Sequence, residues 1–151
     1  MGYSVETIEC NFVVKAENFD KAYDAMCKLN AEDGLKEGYS RLAGERPANS
    51  KSVASNPHKY FSFMAWNYDE IYTNFPDMLK ALGFNLITND NKDVIAVHFC
   101  DTMGQEHLFL EAIAPYVEPN SYIVWKGEDG TMWVCEFVDG KMIEKRAYIT
   151  W

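Results

Sequence analysis

The chain opens on VETIECNFVVK (5–15), where Val5, Thr7 and Glu9 alternate with Glu6, Ile8 and Cys10 before the pattern blurs at Phe12-Val13-Val14. Period two with β-branched residues predicts a strand, central at its C-terminal end. In NFDKAYDAMCKLNAEDG the period changes. Phe19, Ala22, Tyr23, Met26 and Leu29 recur at helical spacing, Asn18 stands where an N-cap belongs, and Gly34 lies just past the end. YFSFMAW (60–66) reads as a strongly apolar strand, and TNFPDMLKALGF as a short helix. Pro76 suits the first turn of that helix, Asp77 its positive end and Gly83 its C-terminal stop. FNLITND and DVIAVHFC read as strands around the turn NDNKD. DTMGQEHLFLEAIAPYV then predicts a third helix, with Thr102 and Gln105 at capping-box spacing and Pro115 limiting its length.

The tail alternates as a three-stranded meander, SYIVWKGEDG, TMWVCEFVDG, KMIEKRAYITW, with turns at Asp129-Gly130 and Asp139-Gly140. A plain two-residue turn at the second step would set Phe137 opposite Met142, but Trp133 opposite Arg146 and Cys135 opposite Glu144. One extra residue, a glycine bulge, pairs Phe137 with Ile143, Trp133 with Ala147 and Thr131 with Ile149. That register collects the apolar residues on one face and is the one expected, although it leaves Lys145 opposite Cys135 and Glu136 opposite Glu144. The order is β-α-loop-β-α-β-β-α-β-β-β. It predicts one α+β domain over 1–151: a mainly antiparallel sheet, helices on one face and a C-terminal three-stranded meander.

Residues 36–59 carry no lasting periodicity and form a long loop, either a flexible tip or a functional one. Lys36, Arg41, Arg46, Lys51 and Lys59 face only Glu37 and Glu45 there. The loop is therefore +3, and the rest of a chain whose total is −9 carries about −12. If the loop is a solvated tip, replacing 41–55 by a Gly-Ser linker shifts the melting temperature by only a few degrees.

This charge changes the functional picture. Nucleic-acid affinity comes largely from Lys and Arg on phosphates, so an acidic chain with a pI near 4.7 and no basic cluster is not expected to bind nucleic acid directly. No secretory signal, membrane-length apolar run or myristoylation pattern is present in the sequence, so the protein is expected in the cytoplasm and off the membrane. Cys10, Cys27, Cys100 and Cys135 are far apart and are expected as buried free thiols.

Candidate chemistry concentrates in VIAVHFCDTMGQEH (94–107). His98 and Cys100 share one face of the predicted strand and His107 follows on the helix, so a strand-to-helix corner could gather them around zinc or a nucleophilic thiol. Structural zinc takes four ligands in recognisable pairs, and a fourth here would have to be Asp101 or a distant cysteine. The expected reading is a capped strand-to-helix turn with no metal and no cofactor. Phosphate-loop, dinucleotide, nucleophile-elbow and zincin motifs are absent from the sequence.

Aromatic residues, 15 % of the chain, are the remaining signal. They crowd residues 60–75 and punctuate the meander, and Tyr or Trp ringed by acids suits a protein interface. The expected partner-binding set is Trp66, Tyr68, Asp69, Glu70, Tyr122, Trp125, Glu128 and Asp129, with Arg41 and Arg46 from the loop. The run AIAPYVEPNSYIVWKGEDGTMWVCEFVDGKMIEKRAYITW resembles the tails of small uncharacterised acidic proteins of phages and gut bacteria: a YVE-x-x-SYI segment, then GEDG, then a DGK hairpin with an aromatic end. The resemblance covers about the last quarter of the chain, carries over no functional residue, and implies a phage or mobile-element accessory protein. The expected function is a non-enzymatic, anti-CRISPR-like module that binds a host nucleic-acid-handling defence protein through the partner's basic surface. The alternative is a small-molecule or metal-binding protein, or an enzyme, using the His98/Cys100/His107 corner.

Overall fold

A computed structural model describes residues 2–147. The elements are β1 (Ser4–Asn11), α1 (Phe19–Leu29), β2 (Gly38–Tyr39), β3 (Lys59–Tyr60), α2 (Tyr68–Ile71), α3 (Phe75–Leu82), β4 (Asn85–Thr88), β5 (Val94–His98), β6 (Cys100–Thr102), α4 (Glu106–Ile113), β7 (Tyr122–Gly127), β8 (Met132–Val138) and β9 (Lys141–Ala147). Five strands form one antiparallel sheet in the order β6-β1-β7-β8-β9, while β4-β5 and β2-β3 are separate hairpin ladders. The domain is mixed α+β, with the helices on one face of the sheet and a C-terminal β7-β8-β9 meander, as the periodicities predict.

Local chemistry accounts for the helix ends. Asn74 caps α3 by accepting from the Asp77 N–H at 2.8 Å, Pro76 occupies its first turn, and Gly83 ends it at φ +111°. A Cβ on Gly83 would also lie 2.8 Å from the Phe99 ring, so space and conformation select glycine together. α1 buries Ala22 and Met26 and half-buries Phe19, Tyr23 and Leu29, the expected stripe. Asn18 stands at its N-cap position, but its side chain makes no capping bond. Pro115 lies in a single 3₁₀ turn that follows α4 directly.

Four expectations are corrected. Residues 60–66 are not a strand beyond the Tyr60 pair. Phe61, Met64 and Tyr68 go into the core at spacings of three and four, a period of turns and helix, and Phe63 takes φ +67° and points outward. The capping box does not form, because Thr102 is paired with Ser4 in β6 and α4 starts at Glu106. The predicted strand DVIAVHFC is broken at Phe99, its first part pairing with β4 and its continuation with β1. The cysteines are not uniformly buried: Cys135 is, Cys10 and Cys27 are half-buried, and Cys100 is exposed.

The meander register is the plain one. Phe137 pairs with Met142, Cys135 with Glu144 and Trp133 with Arg146, so the bulge expected at the second turn is absent; the Thr131–Ile149 pairing expected with it falls outside the described residues. Turn chemistry outweighs the tidier apolar face. Asp139 and Gly140 both have positive φ, +53° and +75°, which is the two-residue primed turn that suits strand twist. The bulge belongs to the first hairpin. There Gly130 alone is left-handed, and its N–H bonds the Gly127 carbonyl at 2.9 Å. The plain register also removes the Glu136–Glu144 opposition and gives Glu136 an ion pair with Lys145 at 3.0 Å.

The core is largely aromatic. Phe84 and Phe99 meet Trp125 edge-to-face and each other at a tilt, at 5.3 to 6.1 Å between ring centres, and Phe61, Tyr68 and Phe109 form a second triad at 5.2 to 6.2 Å.

Gly140→Ala tests the turn that sets the register. Its Cβ would meet nothing closer than 3.7 Å, so its cost comes from the left-handed backbone, about 1–2 kcal/mol of stability in urea unfolding.

Candidate functional site

The 94–107 cluster forms no metal-ligand set in three dimensions. His98 and Cys100 are both exposed, on either side of buried Phe99, and His107 is exposed on α4. The His98 Nδ1 lies 3.2 Å from the Thr7 hydroxyl. Asp101 accepts from the Thr102 N–H within β6 and caps no helix. Among the described residues no three His, Cys, Asp or Glu side chains converge as a metal-ligand set, so this corner gathers no metal centre there. The cause is the break at Phe99, which turns the ring inward and leaves its neighbours in solvent.

The expected partner-binding residues divide into three groups. Tyr68 and Trp125 are core, 0 % and 5 % exposed, and are withdrawn from any interface. Tyr68 packs in an aromatic triad and donates to the Met26 carbonyl at 2.7 Å; Trp125 faces the helix side of the sheet. A second group latches the 36–59 loop. The Asp69 carboxylate accepts from the Asn30 amide at 2.8 Å, the Ser52 hydroxyl at 2.5 Å and the Val53 N–H at 2.8 Å. Glu70 accepts from the Ser50 hydroxyl and from the Ser52 N–H at 2.8 Å. The Ser50 hydroxyl is the largest influence holding the Glu70 carboxyl below its ordinary pKa. The half-buried Trp66 gives its carbonyl to Asn30 at 2.8 Å. Arg46 is half-buried and braces the loop from inside, donating to the carbonyls of Ser50, Ser52 and Ala54, whereas Arg41 is exposed.

The loop thus departs from a plain solvated tip. It holds the β2-β3 ladder and buries Ser52 and Ala54. Lys36, counted in its +3, is also buried, bonded to Asp33 and to the Asn30 carbonyl at 2.9 Å, with its ammonium over the Phe61 ring. Gln105, buried, ties the loop ends to α4 by accepting from the Glu37 and Ser62 N–H groups at 3.1 and 3.0 Å and donating to the Leu35 carbonyl at 2.8 Å.

The third group lies at the sheet. Tyr122 is half-buried on the face that the helices leave open. The registers set Tyr122, Glu136 and Ile143 in one row there and Val124, Val134 and Lys145 in the next. Val138 and Ile143 are exposed on the same face, and Ile8 is exposed at the β1 bulge. Glu128 and Asp129 are exposed at the β7–β8 turn, where both tie down the N-terminal strand. Glu128 accepts from the Ser4 N–H at 3.2 Å. Asp129 accepts from the Tyr3 hydroxyl, the largest influence holding its carboxyl below the ordinary value.

On the opposite, helix-facing side is a cavity of about 210 Å³ that the sequence did not reveal. Trp125, Trp133 and Cys135 form its sheet wall, Met103 and Leu110 the side toward α4, and Glu106, His107 and Glu144 its polar lining. The two indoles stack at 6.3 Å and 7° across β7 and β8. Burial pushes the Cys135 thiol up to about 12; the Glu144 carboxylate adds to this, and the Trp125 N–H beside the sulfur opposes it. Sulfur is a weak acceptor, and the buried Trp125 Nε1 has no acceptor in hydrogen-bond geometry among the described residues. Burial also raises the Glu106 carboxyl, against two 2.9 Å contacts to the Gly104 N–H. Trp125 and Trp133 flank the Glu128-Asp129-Gly130 turn symmetrically, so the first hairpin's register alone signals their pairing.

Comparison with protein-family models, curated proteins and solved structures finds no match to the chain. Among the described residues no helix is long and apolar enough to cross a membrane.

Two outcomes follow from these contacts. Replacing 41–55 by a Gly-Ser linker strips Asp69 of its Ser52 and Val53 donors and Glu70 of both donors. The expected loss is more than the ~1 kcal/mol of one typical hydrogen bond, and the melting temperature falls by well over a few degrees. For Glu106, the raised native carboxyl binds its proton more tightly than the unfolded chain does. That contribution is complete below the unfolded value and is lost as pH rises through the native one. Glu106→Gln should therefore gain stability relative to the parent as pH rises from about 4 to 7, measured by urea unfolding at each pH. A constant difference across that range would show that Glu106 does not titrate abnormally.

Proposed function

We propose that the protein is a non-enzymatic protein-binding module, an acidic cytoplasmic inhibitor of phage type that occupies the basic surface of a host nucleic-acid-handling defence protein. The open face of the five-stranded sheet is the observation that carries this reading. Tyr122, Val124, Val134, Val138 and Ile143 lie there in adjoining rows with no helix layer over them, on a chain of net charge −9. Apolar residues in the centre supply desolvation area, and the negative field steers a basic partner and fixes its orientation. The partner's phosphate-binding surface would then be covered by protein. The resemblance of the C-terminal quarter to small phage proteins points the same way. The carboxylates Glu128 and Asp129 are exposed at the β7–β8 turn and extend the contact area, although both also hold the N-terminal strand.

Tagged protein captured on beads should retain a host partner from lysate at low salt and release it as salt rises through the physiological range, because steering between exposed charges is screened over about 10 Å. Tyr122→Lys with Val134→Lys, on the open face, should abolish that capture while leaving the melting temperature within a few degrees. A partner retained equally by the double variant, or equally at every salt concentration, removes this reading.

A further inference from the structure

The cavity between α4 and the meander has a chemistry of its own. Its walls are apolar and polarisable, from two indoles, a thioether, a thiol and a leucine, and its lining sets Glu106 and Glu144 against the single imidazole of His107. Glu111 is close enough for its charge to reach Cys135. The ion pairs among the described residues are Lys15–Glu118, Lys36–Asp33 and Lys145–Glu136, so neither cavity carboxylate, Glu106 or Glu144, has a salt-bridge partner among them. The indole of Trp133 is half-buried and parallel to that of Trp125. Arg146, opposite Trp133 on the edge strand, is exposed, and its charge does not stand over either ring.

We propose that this cavity is a receptor for an arginine side chain of the protein partner. The inference rests on the reading of the chain as a binder of basic protein surface and names the group it would seize: the cavity and the open face lie on opposite sides of the sheet and both reach its edge strand β9, around which the partner would extend. An aliphatic stem suits Met103 and Leu110. A planar guanidinium stacks on an indole face and pairs with a carboxylate through two parallel N–H donors, which Trp133 and Glu144 offer on adjacent strands. Charge complementarity decides against the competing occupants. An anion would meet the carboxylates unpaired, and a purely apolar group would make no use of the exposed Glu144 charge. Buried Trp–Arg contacts ringed by water-excluding neighbours are the usual centres of binding energy, so one captured arginine would account for a large share of affinity.

The test titrates the full chain with N-acetyl-arginine methylamide and follows the indole N–H signals by ¹H–¹⁵N NMR. The lysine and norleucine analogues serve as controls. The expected result is a saturable shift of the Trp125 and Trp133 signals with Trp66 unmoved, and binding of the norleucine analogue about tenfold weaker or worse. Glu144→Gln, a change at an exposed side chain, should weaken arginine binding about tenfold, and Trp133→Leu should remove it. No saturable shift, equal binding of the norleucine analogue, or an unchanged affinity in Glu144→Gln overturns the proposal. Equal binding of the lysine analogue overturns the assignment to arginine. Partner capture separates this inference from the function it rests on. Capture that survives Glu144→Gln and Trp133→Leu but fails with the open-face variant sinks the arginine site alone. Arginine binding without any salt-sensitive partner sinks the inhibitor reading alone.

Discussion

Two hydrogen bonds between Thr7 and Phe99 hold the two parts of this sheet architecture together. The Thr7 N–H donates to the Phe99 carbonyl at 2.9 Å, and the Phe99 N–H donates to the Thr7 hydroxyl at 3.0 Å. At that residue the chain leaves the β4-β5 hairpin and enters the five-stranded sheet as its edge. A backbone break inside the core would strand polar groups without water, at a cost comparable to lost hydrogen bonds. The buried threonine supplies both partners, and the Phe99 ring is free to lie between Phe84 and Trp125. Valine at position 7 would match the shape of threonine and lose the acceptor. The core, the break between β5 and β6 and the outward turn of His98 and Cys100 all follow from this junction.

A sheet covered on one side only has to dispose of its polar groups asymmetrically. On the helix side they are few and each has work to do: Gln105 ties the loop ends, Asn30 and Asp69 receive the loop, and Lys36 spends its charge on a carbonyl, a carboxylate and a ring face. Tyr68 reaches through the core to the Met26 carbonyl. The acids crowding residues 69–70 thus serve a neighbouring backbone, while the open face sets Tyr122, its valines and Ile143 among Lys126, Glu136, Lys141 and Lys145 at alternate positions of the meander.

What the sequence showed best was whatever a single period controls: β1, α1, α3, the meander, and the one-sided layering that follows from them. What it hid depended on contacts far along the chain. Phe61, Met64 and Tyr68 look like part of a strand because their neighbours are also apolar, and the core that accepts them at helical spacing comes from α4 and α1. Thr102 and Gln105 satisfy a local capping rule that sheet pairing overrides, since Ser4 claims Thr102. The meander register is hidden for the opposite reason. The bulged register gives the tidier apolar face, yet two residues at positive φ leave the backbone one way to close. The aromatic clusters signalled burial and interface alike, and Tyr68 and Trp125 fell to burial. The cavity escaped notice because it forms where β7, β8, β9 and α4 meet, and no contiguous stretch contains it.

The two-residue connection at Asp139-Gly140 also fixes the parity of the last strand. With an even count, Met142, Glu144 and Arg146 share the inward side with Phe137, Cys135 and Trp133. A single inserted residue there would invert that assignment without changing any side chain. Ile143 and Lys145 would turn toward the helices, and Glu144 would leave the cavity for solvent. The charged character of the recess is therefore encoded in a residue count as much as in a residue type. In a descendant of this sequence, one codon gained or lost at the hairpin would exchange the inner and outer faces of β9 together, where point substitution would need a change at each position.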